Sequence, residues 1–278
     1  MASVSDIETA VQWLKSADAL VIAAGAGMGV DSGLPDFRGN EGFWKAYPPL
    51  AKAGVAFTQI ANPSAFSDDP ARAWGFYGHR LRLYRRTQPH AGFHILRALS
   101  ATLPHGDFVF TSNVDGQFQA AGFSERRIIE CHGSIHFLQC ACFPPCEARI
   151  WEADALTVSI DDDACRWLGD LPTCIACGAL ARPNILMFGD WGWVPDRTDD
   201  QCRHWVAWRD RVRKPLVVEL GAGVAVPSVR RFSESLDAPL IRINPTDPQM
   251  DDARTRGISL KMGALEALER IQAVFHAT

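Results

Sequence analysis

The stretch ALVIAAGAGMGVDSGLPDFR, residues 19–38, decides the fold. Ala19 to Ala24 is an apolar run without alternation, the pattern of a strand buried on both faces. Gly25, Ala26, Gly27, Met28 and Gly29 follow as a glycine turn. A buried strand feeding such a turn is the entry to a dinucleotide-binding α/β fold. There the backbone approaches a pyrophosphate, and the next helix N-terminus favours the anion. The spacing is not the strict fingerprint, because Val30 stands where a third glycine belongs. Pro35-Asp36-Phe37-Arg38 strengthens the reading. A rigid residue, an acid, an aromatic and a fixed cation in succession suit a grip on a charged ligand.

Working outward, Ile7, Ala10, Val11 and Leu14 share one helix face, with Ser5 or Asp6 as the expected cap and Lys15 at the end. Residues 70–100 carry helical spacing with a break at Gln88-Pro89-His90. Phe108–Ser112, Arg127–Cys131, Leu216–Leu220 and Leu240–Ile243 read as further buried strands, and Ala264–Phe275 as a closing amphipathic helix. Residues 137–187 differ: they hold prolines, an acidic run at Asp161-Asp162-Asp163 and most of the cysteines. The expectation is an α/β fold, a Rossmann-like parallel sheet with a smaller inserted module.

Composition bounds the function. The chain has 278 residues, 47% hydrophobic and 22% charged, which is ordinary globular usage. A net charge of −4 gives no basic field, so nucleic acid is not an expected partner. Apolar runs are far short of the ~20 residues a membrane span needs, and no secretory pattern opens the chain. A cytoplasmic protein with no membrane partner is expected. Of 8 cysteines, six fall between Cys140 and Cys177, with Cys174 and Cys177 as a C-x-x-C. Such clustering suits a metal better than disulfides.

Two more constellations carry chemistry. Thr111-Ser112-Asn113-Val114-Asp115-Gly116 ends the second central strand. Ligands of open α/β sheets bind at that edge, although Asn-x-Asp-Gly is also ordinary turn chemistry. His132-Gly133-Ser134 ends the third strand, where a histidine can serve as a base near neutral pH. His136 close by reads as structural.

Together, GAGMGVDSGLPDFRG, TSNVDG, CHGS, PTCIACGALARPNILMFGD, GAGVAVP and RINP resemble, in order and spacing, the motifs of the sirtuin family of NAD-dependent protein deacylases, bacterial type. The match runs from about residue 20 to 265. The resemblance implies one catalytic domain over 1–278, a zinc-binding insert at 137–187 and a helical part with a cofactor-binding loop at 40–95. It implies a reaction in which the acyl oxygen of an acyl-lysine attacks the nicotinamide ribose of NAD and nicotinamide leaves. His132 would activate a ribose hydroxyl, and free lysine and O-acyl-ADP-ribose would be produced. Asn113 and Asp115 would hold the nicotinamide ribose and carboxamide. The cofactor site would also take Gly25, Ala26, Gly27, Asp36, Phe37, Arg38, Ser112, Gly221, Ala222 and Asn244. The family has glutamine where Ser112 stands, so that contact is shortened here.

The resemblance further implies a structural zinc on four cysteines. Cys174 and Cys177 supply one pair; in the other, position 143 is phenylalanine, so Cys140 is paired with Cys146 across Pro144-Pro145, with Cys142 as the competitor. Cys131 and Cys202 are expected as buried apolar residues. Tyr77 and Arg80, three apart on a helix, resemble the pair that selects succinyl, malonyl or glutaryl groups, although a basic surface helix would read the same. An acyl-peptide would pair with an edge strand at Met187-Phe188-Gly189-Asp190, with Phe188 and Gly189 as contacts and Trp191 and Trp193 nearby. The competing functions are an NAD hydrolase or ADP-ribosyltransferase on the same fold, and a non-catalytic NAD-sensing zinc ribbon.

Overall fold

In the computed structural model, residues 4–36, 39–146, 150–252 and 254–277 are described. The chain opens with α1 (Val4–Ser16), β1 (Ala19–Ala24) and a 3₁₀ turn (Ala26–Ser32). Helices α2 (Gly39–Ala46), α3 (Pro48–Lys52), α4 (Phe57–Ile60), α5 (Ser64–Asp68), α6 (Pro70–Arg86) and α7 (Ala91–Ser100) follow. Then come β2 (Asp107–Thr111), α8 (Gln117–Ala120), β3 (Ile128–Glu130), β4 (Gly133–Cys140), β5 (Trp151–Glu152), β6 (Ile160–Asp161), β7 (Arg166–Trp167) and β8 (Ala181–Ile185). The chain finishes with α9 (Asp196–Arg209), β9 (Pro215–Leu220), α10 (Ser228–Ser235), β10 (Leu240–Ile243), β11 (Gly257–Leu260) and α11 (Ala264–Ala277).

Six strands form one parallel sheet in the order β11-β10-β9-β1-β2-β3. Strand side chains alternate between faces, so each strand feeds two cores. Leu20, Ile22 and Ala24 pack under α1, α7 and α11, while Ala19, Val21 and Ala23 pack against Trp208 of α9 and Val229 of α10. All six β1 residues are buried, which is why the run shows no alternation. Strand order reverses direction between β1 and β9, the place where open α/β sheets bind ligands.

A second unit has its own core. Helices α2 to α6 pack against an antiparallel sheet, β5-β4-β8, and the ribbon β6-β7. Asp69 starts α6 by accepting from the Arg72 N–H at 3.2 Å, with Pro70 as first helical residue. The helix stops short of Pro89, and His90 caps α7 by accepting from Gly92 at 3.0 Å. Along α6, Arg85 donates to the Ala153 and Leu156 carbonyls at 2.6 and 2.9 Å, and Arg82 pairs with Asp162. Arg166 of β7 makes a bidentate pair with Asp69 at 2.8 and 3.0 Å.

The differences from expectation have physical reasons. Helix α1 begins at Val4, so Ser5 and Asp6 lie in its first turn rather than at its cap. Helix α7 packs on the main sheet through Phe93, Ile95 and Leu96, although its first half falls inside the 40–95 span. Met187 to Asp190 is not a strand: β8 ends at Ile185, and the chain turns at Gly189, whose φ of +65° is left-handed. Cys202 is exposed and Cys131 half-buried. Cys202 follows the buried Gln201 on α9, about 100° round the helix and on its outer side. Among the described residues no helix is long and apolar enough to cross a membrane.

Candidate active site

A cavity of about 580 Å³ opens at the carboxyl ends of β1, β2 and β3. Gly25, Ala26, Asp36, Ser112, Asn113, Asp115 and His132 line it. So do Tyr77, Arg80, Tyr84, the segment from Ile185 to Phe188 and the stretch from Gly223 to Val226. A smaller cavity of about 230 Å³ shares Asp36 and is lined by Gly27 and Gly221.

The glycine turn is dictated by a backbone crossing. A Cβ on Gly27 would sit 2.7 Å from Gly221 Cα, and one on Gly221, at φ +59°, would sit 2.4 Å from Gly27. The turns after β1 and β9 touch, so neither carries a side chain that would fill the cleft. This bare backbone ahead of a short helix, with two cavities that share Asp36 at the sheet's switch point, is the kind of place where open α/β sheets bind nucleotides.

Asn113 is held by its own loop and by the turn after β1: its N–H donates to Thr111 Oγ1 at 3.0 Å, and its side-chain amide donates to the Gly25 carbonyl at 3.0 Å. Asp115 is buried and accepts from the Gln117 N–H at 2.9 Å. Burial pushes its carboxyl up to about 6; the Gln117 N–H and Arg80 oppose the shift and Glu130 adds to it. Such a carboxyl takes and releases a proton near physiological pH.

His132 is half-buried one residue beyond Cys131, at the exit of β3. Burial lowers its pKa against the opposing effect of the Ser112 carbonyl, so the ring is the neutral, basic form at pH 7. Its Nε2 lies 3.3 Å from Ser228 Oγ. The next residue must be glycine: Gly133 has φ +74°, and a Cβ there would lie 2.1 Å from the Asn184 carbonyl oxygen. That close approach brings the start of β4 against β8, and Leu186 N–H donates to the His132 carbonyl at 2.9 Å.

Tyr77 is 1% and Arg80 8% exposed, so α6 turns both inward rather than forming a basic surface face. Arg80 donates through Nε and Nη2 to Tyr84 Oη at 2.9 and 2.7 Å. The Phe76, Tyr77 and Tyr84 rings surround its guanidinium, with centroids 5.3 to 5.9 Å away. Burial holds the Tyr77 and Tyr84 phenols above their ordinary range despite Arg80.

Several expected residues sit elsewhere. Ala222, Asn244 and Gly189 line neither cavity. Asn244 is 1% exposed and organises its own turn, donating to the Ala222 carbonyl at 2.9 Å and accepting from the Thr246 and Asp247 N–H groups at 3.0 Å. Phe37 and Arg38 lie outside the described residues. Other site residues went unread in the sequence. Arg182 and Asp190, 3% and 0% exposed, form a bidentate pair at 2.7 and 2.8 Å beneath the Leu186–Phe188 segment. Glu130, 1% exposed, pairs with Arg197 and accepts from Gln201 at 3.3 Å, tying β3 to α9. The available signal was a lone charge inside an apolar strand run, as in Arg127–Cys131.

Cys140, Cys146, Cys174 and Cys177 come together, with all four Sγ atoms within 4.8 Å of one another. Cys140 to Cys177 is 3.7 Å and Cys146 to Cys174 is 3.5 Å. A tetrahedral site with ~2.3 Å zinc–sulfur bonds has sulfur–sulfur edges of ~3.8 Å, so this donor set fits Zn²⁺. Cys142 is exposed, and its N–H donates to Cys140 Sγ at 3.4 Å, a hydrogen bond of the kind that supports a metal-bound thiolate.

Comparison with known proteins bears on the whole arrangement. The model of the Sir2 family matches residues 25–208. An NAD-dependent protein deacylase 1 of Pseudomonas aeruginosa is 36% identical over 181 residues, 65% of this chain and 66% of that one. An NAD-dependent protein deacetylase of Halalkalibacterium halodurans is 30% identical over 246 residues, 86% of this chain and 90% of that one. Among solved structures, a Sir2 homologue in complex with NAD superposes with a TM-score of 0.71 at 25% identity, covering 97% of this chain and 94% of the other.

Proposed function

The chain belongs to the Sir2 family, and from that premise we propose that it is an NAD-dependent deacylase of acyl-lysine in proteins or peptides. The observation that carries this reading is one cavity with two chemistries. A neutral histidine, His132, and the Asn113–Asp115 loop line it together with apolar Ile185, Met187 and Phe188 and the Tyr77 and Arg80 side chains. The curated relatives named above for this activity support it.

Each residue then has a task. The turn from Gly25 to Gly27 and the Asp36 carboxylate border the space for the dinucleotide. Asn113 and Asp115 hold the reacting end of it, Asp115 being able to donate or accept near pH 6. His132 takes a proton from a ribose hydroxyl at Nε2. Ile185, Met187 and Phe188 keep water from the acyl group. NAD supplies the ADP-ribosyl acceptor of the acyl group and, in nicotinamide, the leaving group. Cys140, Cys146, Cys174 and Cys177 would hold a zinc whose four thiolates leave no open position, so its role is to fold the 137–187 insert.

Acidic acyl groups are the finer part of the proposal. Arg80 is a fixed cation in the cavity wall, braced by Tyr84, with Tyr77 also lining the cavity. A succinyl or malonyl carboxylate meets a charge there that an acetyl group cannot use. The test is a panel of acetyl-, malonyl- and succinyl-lysine peptides with and without NAD. NAD-dependent loss of acyl groups, with the acidic ones favoured, supports both parts. NAD-dependent loss of acetyl alone removes the finer one, and no NAD-dependent loss removes both.

A further inference from the structure

Ser228 stands at the first position of α10, where a serine hydroxyl ordinarily bonds nearby backbone. Here the Pro227 cap makes no side-chain bond, and among the described residues the Ser228 Oγ hydrogen bond runs 96 positions back, to His132 Nε2 at 3.3 Å. The element that carries it is fixed. Val229 and Ser233 are buried, and Arg230 ties α10 to Asp251 at 2.6 and 2.8 Å and to the Asp247 and Gln249 carbonyls. The Ser112 backbone raises the ring's pKa, the sign of a carbonyl acceptor near it. A carbonyl can only accept, so a ring N–H turned toward it leaves Nε2 its lone pair and gives Ser228 the donor's part.

We propose that the Ser228 hydroxyl is a positioning group for the base: it donates to Nε2 of neutral His132 and fixes the Nδ1–H tautomer, then accepts from Nε2–H once the ring has taken a proton. The hydroxyl keeps its own proton throughout. The proton on Nε2 comes from the hydroxyl that His132 deprotonates, and Ser228 only turns its O–H to follow it. At 3.3 Å the contact is long, so a ligand hydroxyl entering beside Val229 can share the nitrogen without clash. That this ligand is a ribose rests on the function proposed above; the tautomer and the hydrogen bond do not.

The sign of the effect follows from hydrogen-bond strength. A bond from charged Nε2–H to a hydroxyl is roughly twice as strong as one from a hydroxyl to neutral Nε2, so Ser228 favours the protonated ring. It thus makes His132 a better base than its burial alone allows. The charged and titratable residues that line the cavity with His132 are Asp36, Tyr77, Arg80, Tyr84, Asp115 and Asp247; α10 adds Arg230 and Arg231 and β4 adds His136, and burial and the Ser112 backbone are the influences on the ring.

The experiment is NMR of the intact protein with ¹⁵N-labelled histidine, titrated with pH, the His132 signals being identified by their loss in His132→Asn. Wild type is expected to show the Nδ1–H tautomer. Ser228→Ala is expected to mix the tautomers and lower the His132 pKa by ~0.5–1 unit. Ser228→Thr, which keeps the hydroxyl, should restore both. In turnover, Ser228→Ala should cost ~3–10-fold in kcat at pH 7 with little change in KM for NAD. An unchanged tautomer and pKa in Ser228→Ala, or a Thr variant as altered as the Ala variant, overturns the proposal. The NMR result stands whether or not the protein deacylates, so it separates this inference from the function it refines.

Discussion

Replacing Asp190 by alanine tests how the acyl passage is held in shape. The Asp190 side chain is completely buried and meets that of Arg182, itself 3% exposed, through two hydrogen bonds of 2.7 and 2.8 Å. The same carboxylate accepts from the Met187 and Gly192 N–H groups at 3.3 and 3.1 Å. It therefore closes the turn that carries Leu186, Met187 and Phe188 into the cavity wall. Alanine leaves a buried guanidinium without its counter-charge and two backbone donors without an acceptor. Breaking one side of a buried ion pair costs about 3–5 kcal/mol. That is a large share of a typical domain stability of ~5–15 kcal/mol. Urea unfolding should show that loss as a lower midpoint. Because the turn walls the acyl passage, KM for an acyl-peptide should rise by more than KM for NAD. The double variant Arg182→Met, Asp190→Leu should regain at least half of the stability, since an apolar pair of similar volume removes the stranded charge. A loss under ~1 kcal/mol for Asp190→Ala, with peptide KM unchanged, would refute the reasoning.

Other outcomes follow from the same geometry. His132→Ala should reduce deacylation ~10²–10⁴-fold while urea unfolding shows the fold intact. Cys146→Ser should release a bound zinc and unfold the insert, whereas Cys142→Ser should retain the metal; metal analysis with circular dichroism reads both. Arg80→Met should cut desuccinylation ~10–150-fold while deacetylation changes little, since a hydrogen bond to a charged group is worth about 1.5–3 kcal/mol. Equal losses would make Arg80 structural. Asp115, with its folded pKa raised to about 6 by burial, should make stability fall as pH rises from about 4 through 6, because folding favours its protonated form. Urea midpoints of wild type and Asp115→Asn should diverge over that window, by on the order of 3 kcal/mol at pH 7; parallel curves would contradict the shift.

Much of the arrangement is legible in the sequence because local signals and the final packing agree. The unbroken apolar run from Ala19 to Ala24 reads as a strand with two covered faces, and it has them. Pro70 and Pro89 bracket a helix that runs between them. His132, Asn113 and Asp115 reach one cavity because they follow adjacent parallel strands. What the sequence hides is long-range pairing. Glu219 and Arg242 look like charges misplaced in buried strands, yet they sit opposite each other in register and join at 2.6 and 3.0 Å. Asp190 reads as the end of a strand until its partner, eight residues back, is seen. Ser228 carries no local signal, since its partner is a side chain 96 positions away. The cysteine ambiguity is of the same kind: spacing admits Cys142 or Cys146, and only the folded chain brings Cys146 beside Cys174.

The most direct test of the central claim is the mass balance of one reaction. Purified protein is incubated with NAD and an acyl-lysine peptide, and every product is followed by mass spectrometry. The account predicts that each lysine freed is matched by one nicotinamide and one ADP-ribose carrying the acyl group. Nicotinamide release with unmodified ADP-ribose and an intact acyl-peptide would contradict it and make the protein an NAD hydrolase.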